Sequence, residues 1–510
     1  MADDSKVAAT APETAPEITP EIATTSSAPV PRPPGWMYRG FKIGGKEVWY
    51  ASPPAQLLLV SVVCFLCPGM FNALTGIGAG GQVNSKAQAD AATALYSTFA
   101  VVAFFSGTIA NTLGVKITLA FGGLGYSIYA ASFLSYNHNG NTGFVIFAGA
   151  FLGICAGLLW TAQGTIMVSY PPEAEKGRYI SWFWMIFNMG GVVGALVLLG
   201  QNAHQTAGPV TDGTYIGLIV LMLLGAVLAL GLCNAGNVVR KDGSKVILMK
   251  NPSFVTEVVG LFETLTQNPW VTLLFPMFFS SNIFYTYQLN NMNGAHFTTR
   301  TRALNNTLYW TSQIIGASIF GYALDFAKAR RTVRAKASLL SLVALTFIIW
   351  GGGWAWQKDQ APREIVEADE GKSYVRIDWT DGSEYLGPMF LLMFYAFYDA
   401  AWQTCIYWYI GALSNSGRKA ANLTGFYKGI QSAGAAVFWR LDGLGISYNA
   451  IFGATWGLLA ASLIFAAPVI WLNIKDTVPV EEDLKFSDET IEDVVVTGAA
   501  PIKYSKEEAV

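Results

Sequence analysis

The sequence predicts an all-α polytopic membrane protein, twelve transmembrane helices in two six-helix halves. Two observations carry that expectation. Only 13% of the 510 residues are charged, against 52% hydrophobic and 14% aromatic, whereas soluble domains carry charge at about a quarter of their positions. The apolar residues also fall into twelve successive runs, near 55–75, 90–111, 115–135, 143–169, 177–200 and 213–233, then near 270–290, 303–324, 335–356, 386–411, 419–440 and 448–473. At about 1.5 Å of rise per residue, about 20 helical residues cross a hydrocarbon layer of about 30 Å. A membrane strand needs only about 9–11 residues of alternating pattern, so the run lengths select helix.

The runs divide the chain into a tail and lead-in over 1–50, a first half over 51–233, a linker over 234–269, a second half over 270–474 and an acidic tail over 475–510. Basic residues gather on one side of the spans, among them Arg39, Lys116, Arg240, Lys241, Lys328, Arg330, Arg331 and Lys336, while the other side holds Lys86, Arg300, Arg302, Arg440 and a loop in which acids outnumber bases. By the positive-inside rule both termini are cytoplasmic, at the plasma membrane or an endomembrane. Residues 1–35 are rich in Ala, Thr, Pro, Ser and Glu and read as a disordered tail rather than a signal peptide. In the linker, Phe254, Val258, Leu261, Phe262 and Leu265 keep a helical spacing. That fits a short amphipathic helix on the inner membrane face, or one packed on the bundle. The outer loop near 357–384 reads as a small β-hairpin whose arms flank Asp369–Lys372.

The net charge of −2 carries no information about nucleic acid, but the lack of a Lys/Arg-rich stripe with interleaved aromatics argues against nucleic acid as a partner. The expected partners are the lipid bilayer and a small-molecule substrate, with a membrane-protein partner on a second reading. No cofactor and no metal site is expected. Gly76-Ile-Gly78-Ala-Gly80-Gly81 satisfies a dinucleotide pattern in letters only, because a membrane helix precedes it where a strand is required. Cys64 and Cys67 lie inside that same helix, where burial disfavours thiolate chemistry. His138, His204 and His296 read as solvated residues of the outer loops.

Ionisable residues inside the runs are scarce, and a charge at mid-bilayer costs about 2.5–3.5 kcal/mol or more. Asp399 and Lys428 stand at similar depths on either side of the turn near Asn415. They are expected to pair, either as a fixed structural ion pair or as one that breaks on proton or substrate binding. If they do pair, neutralising Asp399 alone harms the protein more than replacing both, because it strands an ammonium. Tyr395, Tyr398, Trp402 and Gln403 surround Asp399 at helical spacing. Gly149, Gly153 and Gly157, and Gly425, Gly429 and Ala433, form small-residue ridges suited to close helix contact.

An internal repeat supports two halves. Gly107, Asn111 and Lys116 follow the second run, and Gly321, Asp325, Arg330 and Arg331 follow the eighth. Glycine there permits close helix approach, the Asn or Asp side chain caps a helix end or pairs with a base, and the bases hold a short cytoplasmic loop. The pattern resembles the loop motif of the major facilitator superfamily, with Asn111 where an Asp is usual. Three further segments narrow the likeness: Pro68–Leu74 running into the glycine-rich 76–82, Tyr170–Arg178 leading into Trp182–Gly191, and Gly425–Gly434. Together they resemble the Unc-ninety-three-like family, a branch of that superfamily, over about 50–475. The resemblance implies a facilitator fold whose helices one, four, seven and ten line a central cavity. That adds Asn72, Trp160, Gln163, Asn282, Tyr285 and Gln288 to the helix-ten residues as cavity candidates. Aromatic and amide walls suit an uncharged or amphipathic organic solute. The leading functional reading is a carrier that rocks its halves around a midplane site. The competing one is a transporter-like regulator or escort of another membrane protein. An enzyme is the distant third, since no nucleophile–base pair stands out.

Overall fold

In lipid every backbone polar group must find a partner within its own segment, so long apolar runs become helices. The computed structural model describes residues 33–43, 46–82, 85–171, 176–241, 259, 262–263, 265–326, 328–368, 373–413 and 417–476. A short antiparallel hairpin, β1 (Phe41–Ile43) and β2 (Lys46–Val48), leads into the bundle. The first half comprises α1 (Pro53–Gly76), α2 (Lys86–Val102, resumed as Ser106–Leu113), α3 (Val115–Asn139), α4 (Thr142–Ser169), α5 (Lys176–Asn202) and α6 (Asp212–Ala229). The second comprises α7 (Pro269–Phe279, resumed as the π-helix Thr286–Gly294), α8 (Thr299–Leu324), α9 (Arg331–Gln357), α10 (Ser383–Leu413), α11 (Gly417–Gly443) and α12 (Tyr448–Leu472).

Each half has its own apolar core, one built mainly from residues between Trp49 and Val238 and the other from Val271 to Ile474. The halves meet along α2 with α11 and along α5 with α8. Exchanging each helix for the one six later turns the first contact into the second. The interface is therefore one packing solution used twice, as a pseudo-two-fold pair of sextets requires. Large apolar side chains such as Leu58, Val101, Val227, Ile348 and Ile464 are exposed on the outside of the bundle, the surface lipid covers.

Among the described residues, seven helices are long and apolar enough by composition to cross a membrane: α1, α3, α4, α5, α6, α9 and α12. The other five are α2, α7, α8, α10 and α11, which are shorter, broken or more polar. Together with α5, those five make the inter-half contacts or flank the space between the halves, where a polar side chain meets a partner instead of lipid. Polarity in a spanning helix thus marks the side facing its opposite half.

The small-residue ridge of α4 behaves as expected. A Cβ at Gly149 would lie 2.9 Å from the Ala91 carbonyl carbon, and one at Gly153 would lie 3.0 Å from the Phe99 amide nitrogen, so α2 rests directly on this ridge. The α11 ridge is only partly of this kind: Gly429 abuts the Phe104 ring and Gly434 the Phe279 backbone, whereas Gly425 faces open space. Gly321 also has open space around it, so close helix approach is not its role.

Among the described residues the expected hairpin in the long loop is not found. Its first arm is a helical turn, Arg363–Val366, and Ile377 pairs in parallel with Phe297. The reason is electrostatic and steric together. Arg363 is drawn down onto the buried Asp442 carboxylate, which coils its own segment, and Ile377 takes the free backbone edge left where α7 ends. Residues 1–32, 477–510 and most of the expected amphipathic helix at 253–265 lie outside the described residues.

Gly149→Ala is expected to cost about 1–3 kcal/mol by overpacking against α2, whereas Gly164→Ala, on the same helix with no atom within 4 Å, should gain up to about 1 kcal/mol of helix propensity. Melting of the two variants in detergent checks the contrast.

Candidate functional site: a cavity between the halves

Between the two sextets lies a cavity of about 970 Å³. Of the residues expected to face it, Asn72 on α1, Trp160 on α4, Asn282 and Tyr285 on α7, Gln403 on α10 and Lys428 on α11 do so. Gly321, Asp325 and Arg331 line its mouth, at the junction of α8 and α9.

Six expected residues do not line it, for reasons of helix phase. On α10 the cavity stripe is Ala400, Gln403, Thr404, Tyr407, Trp408 and Gly411. Tyr395, Tyr398 and Trp402 lie on the opposite stripe and are fully buried in the second core. There the Tyr398 hydroxyl meets Thr346 Oγ1 at 2.8 Å, the Trp402 indole donates to Ser281 Oγ at 3.1 Å, and Tyr395 packs on Trp350. On α7 the helix breaks after Phe279 and resumes as a π-helix, which changes the angular step per residue. Gln288 consequently turns toward α8 and accepts a 2.7 Å hydrogen bond from the Tyr309 hydroxyl, while Leu289 takes the cavity position. Gln163 lies off the Leu152, Ala156, Trp160 stripe of α4 and is buried. Asp399, the sixth, sits just behind the wall.

Asp399 and Lys428 do not form the direct ion pair that their depths suggested. Asp399 is wholly buried, and its carboxylate accepts from the Tyr285 hydroxyl at 2.7 Å, from Gln403 Nε2 at 2.7 Å and from Gln313 Nε2. Lys428 instead donates to Gln431 Oε1 at 3.1 Å and lies over three rings, with centroids 5.1 Å (Tyr427), 5.3 Å (Tyr407) and 5.8 Å (Trp160) away. Gln431 passes the link on through Nε2, which donates to Asn282 Oδ1 at 2.9 Å. Both charges are linked to the break in α7, where Asn282 serves the cation's chain and Tyr285 the anion. Amides intervene because a cavity wall separates α10's acid from α11's base.

The described chain enters and leaves on one face of the bundle, and the opposite face is closed by bonds between halves. The loop after α1 has positive φ at Gly78, Ala79, Gly80 and Gly81 (79°, 52°, 59° and 81°), a path three glycines make accessible. Its carbonyls turn toward α8, where the buried Arg302 guanidinium donates to Ile77 O at 2.8 Å, Gln82 O at 3.2 Å and Gly78 O. Asn290 Oδ1 receives the Ala79 amide at 2.8 Å, and Asn293 reaches Gly76 O at 3.0 Å. Asp442 fixes Asn290 and Asn291 at 2.9 and 2.6 Å and holds Arg363 of the outer loop. Lys86 to Gly443 O at 3.2 Å and Arg440 to Asp90 at 3.2 Å complete the closure. On the face of the chain ends, by contrast, the lining runs out to Trp182, Tyr322 and Asp325. The cavity is sealed on one side and open on the other.

Asp325 ends α8, and Arg331 donates to Gly411 O at 3.0 Å, across to α10. The first turn of α9 is capped not by Asp325 but by Asp476, which accepts from the Thr332 amide at 3.0 Å. Arg330 sits at the head of α9, and Lys116 lies in the first turn of α3. Gly107 and Asn111 belong to Ser106–Leu113.

Two outer-loop groups depart from expectation. His296 is fully buried, not solvated: Nδ1 lies 3.0 Å from the Tyr374 hydroxyl, with Trp356 and Tyr448 edge-on to the ring. Burial, reinforced by the nearby Arg376 guanidinium, pushes its imidazole down to about 4. Asp378 is held well below the usual carboxylate range, first by the Arg300 guanidinium and then by Thr298 and Thr380.

Sequence reasoning missed Trp184 and Asn188 on α5 and Gln313 on α8, all in the wall. Their polarity inside spanning runs was the available signal.

A model of the Major Facilitator Superfamily matches residues 57–359. The chain is similar to an UNC93-like protein of Schizosaccharomyces pombe, 49% identical over 88% of each chain. It is also similar to UNC93-like protein 1 of Arabidopsis thaliana, 40% identical over 84% of this chain and 92% of that one. Among solved structures it resembles a D-xylose-proton symporter, with TM-score 0.53, 12% identity and coverage of 82% and 97%. It likewise resembles the xylose transporter XylE from E. coli in a partially occluded inward-open conformation, with TM-score 0.56, 14% identity and coverage of 83% and 98%.

Asp399→Asn places an amide N–H against groups that already donate, and should cost about 1–3 kcal/mol. With no direct pair to break, adding Lys428→Gln should not restore stability, and melting of the single and double variants in detergent decides this. A second expectation concerns pH. His296 binds its proton less readily in the folded protein than in the unfolded chain. Stability is therefore complete above about pH 6.5 and falls toward pH 4, by about 2 kcal/mol at pH 5. The drop in melting temperature between pH 7 and pH 5 should flatten in His296→Gln.

Proposed function

The chain belongs to the UNC93-like branch of the major facilitator superfamily, and from that premise we propose that it is a carrier moving a small organic solute by alternating access. The single observation behind this is the cavity closed by inter-half bonds at one face and open at the other. Rocking the halves would exchange which face is shut. The basic residues near the open face, Arg330, Arg331, Arg334 and Lys336 among them, favour assigning that face and both chain ends to the cytoplasm. Asp399 and Lys428, both linked to the break in α7, are the charged couple whose balance a bound solute or proton would alter. The xylose-carrying neighbours share the fold at 12% and 14% identity, so no sugar is carried over from them.

The closed face offers a direct test. A Cβ on Gly443 would stand 3.6 Å from the Ala89 Cβ, within the separation of about 3.5–4.5 Å that a disulfide spans. The native cysteines at 64, 67, 155, 233 and 405 are all buried and can be replaced in the background. In proteoliposomes, Ala89→Cys with Gly443→Cys should stop solute accumulation when oxidised and release it when reduced. Gln403→Leu, which alters the wall, should lower uptake by about tenfold or more. A protein that accumulates no solute, and serves another membrane protein equally well with the disulfide locked, would overturn the carrier reading in favour of a regulator or escort.

A further inference from the structure

The charge of the cavity is unequal to that of its surroundings. Among its lining residues the ionisable acids and bases are Asp325, Arg331 and Lys428. The first two stand at the mouth and cancel. Asp399 is fully buried behind the wall, and three donors from Tyr285, Gln313 and Gln403 already occupy its carboxylate. A solute inside the cavity therefore touches one charged side chain away from the mouth, the Lys428 ammonium, while the Asp399 carboxylate stays behind the wall.

That ammonium is poised rather than satisfied. It carries three donors, of which the Gln431 carbonyl takes one. No carboxylate lies within 4 Å of it among the described residues. The three rings around it supply cation–π attraction, which holds the head in place without filling its hydrogen-bond directions. Beside it runs an aromatic wall across both halves: Trp160 stacks on Trp184 at 6.4 Å and 24°, and Trp184 meets Tyr407 at 5.7 Å.

Resting on the carrier reading, we propose that the solute is an organic anion, with a carboxylate or similar monoanionic head on Lys428 and a flat apolar body against Trp160, Trp184 and Tyr407. A cationic solute would meet a like charge. A neutral one would leave the ammonium without a counter-charge. An anion completes the pair in a low-dielectric space, where a charge-assisted hydrogen bond is strongest.

The probes are 2-naphthoate, 2-naphthamide and 2-naphthylmethylamine, identical in body and different in head. They are titrated calorimetrically at neutral pH into the full chain in lipid nanodiscs. Naphthoate should saturate one site, with the amide and the amine at least about tenfold weaker. Lys428→Gln should weaken naphthoate by about tenfold or more, and Lys428→Arg should restore most of that loss. Equal binding of amide and acid, undiminished naphthoate binding to Lys428→Gln, or no naphthoate binding to the unaltered protein would each overturn the proposal. The first and third readings need no variant, so a misfolded substitution does not shield it. Uptake of a neutral solute unaffected by Lys428→Gln would refute the anion and keep the carrier. Naphthoate binding with no solute movement would do the reverse.

Discussion

A bilayer supplies no hydrogen bonds, so each polar side chain placed in a spanning helix must find its partner within the protein. That constraint organises the molecule. The polar residues of α7, α8, α10 and α11 cluster where the two sextets face each other. There Asp399 is served by two amides and a phenol, Lys428 by an amide and three rings, and Arg302 by main-chain carbonyls. The outside of the bundle is left to Leu, Ile, Val and Phe. The inter-half space thus gathers the buried charges Asp399, Lys428 and Arg302.

Much of this was legible beforehand because it depends on length and composition. Twelve runs became twelve helices, and the ridge at Gly149 and Gly153 became a backbone-close contact. The half-to-half repeat was visible as a doubled loop motif, although Gly321 turned out to face open space. Cavity residues were legible as far as a regular 100° step held. Asn72, Trp160, Asn282, Tyr285 and Gln403 were found, and so was Lys428.

What escaped depended on phase and on partners distant in sequence. Tyr395, Tyr398 and Trp402 surround Asp399 along the chain, yet they face the second core, because an acid at the edge of a stripe has neighbours on both sides of the helix. Gln288 escaped because a break and a π-turn in α7 reset the register, which no periodicity count anticipates. An argument from depth along the helices said nothing of lateral distance, so the missing direct contact between Asp399 and Lys428 was not legible. His296 looked exposed because a loop was assumed to be wet; its shelter comes from Trp356, Tyr374 and Tyr448, residues scattered over the second half.

The closure by Arg302 has an evolutionary corollary. Its acceptors are the carbonyls of Ile77, Gly78 and Gln82, atoms every amino acid possesses. Side-chain drift in that segment leaves the acceptors intact so long as the glycine-permitted backbone path survives. Descendants can therefore diversify the rim of the closed face, while the guanidinium and the curvature beneath it stay locked together as a single inherited unit.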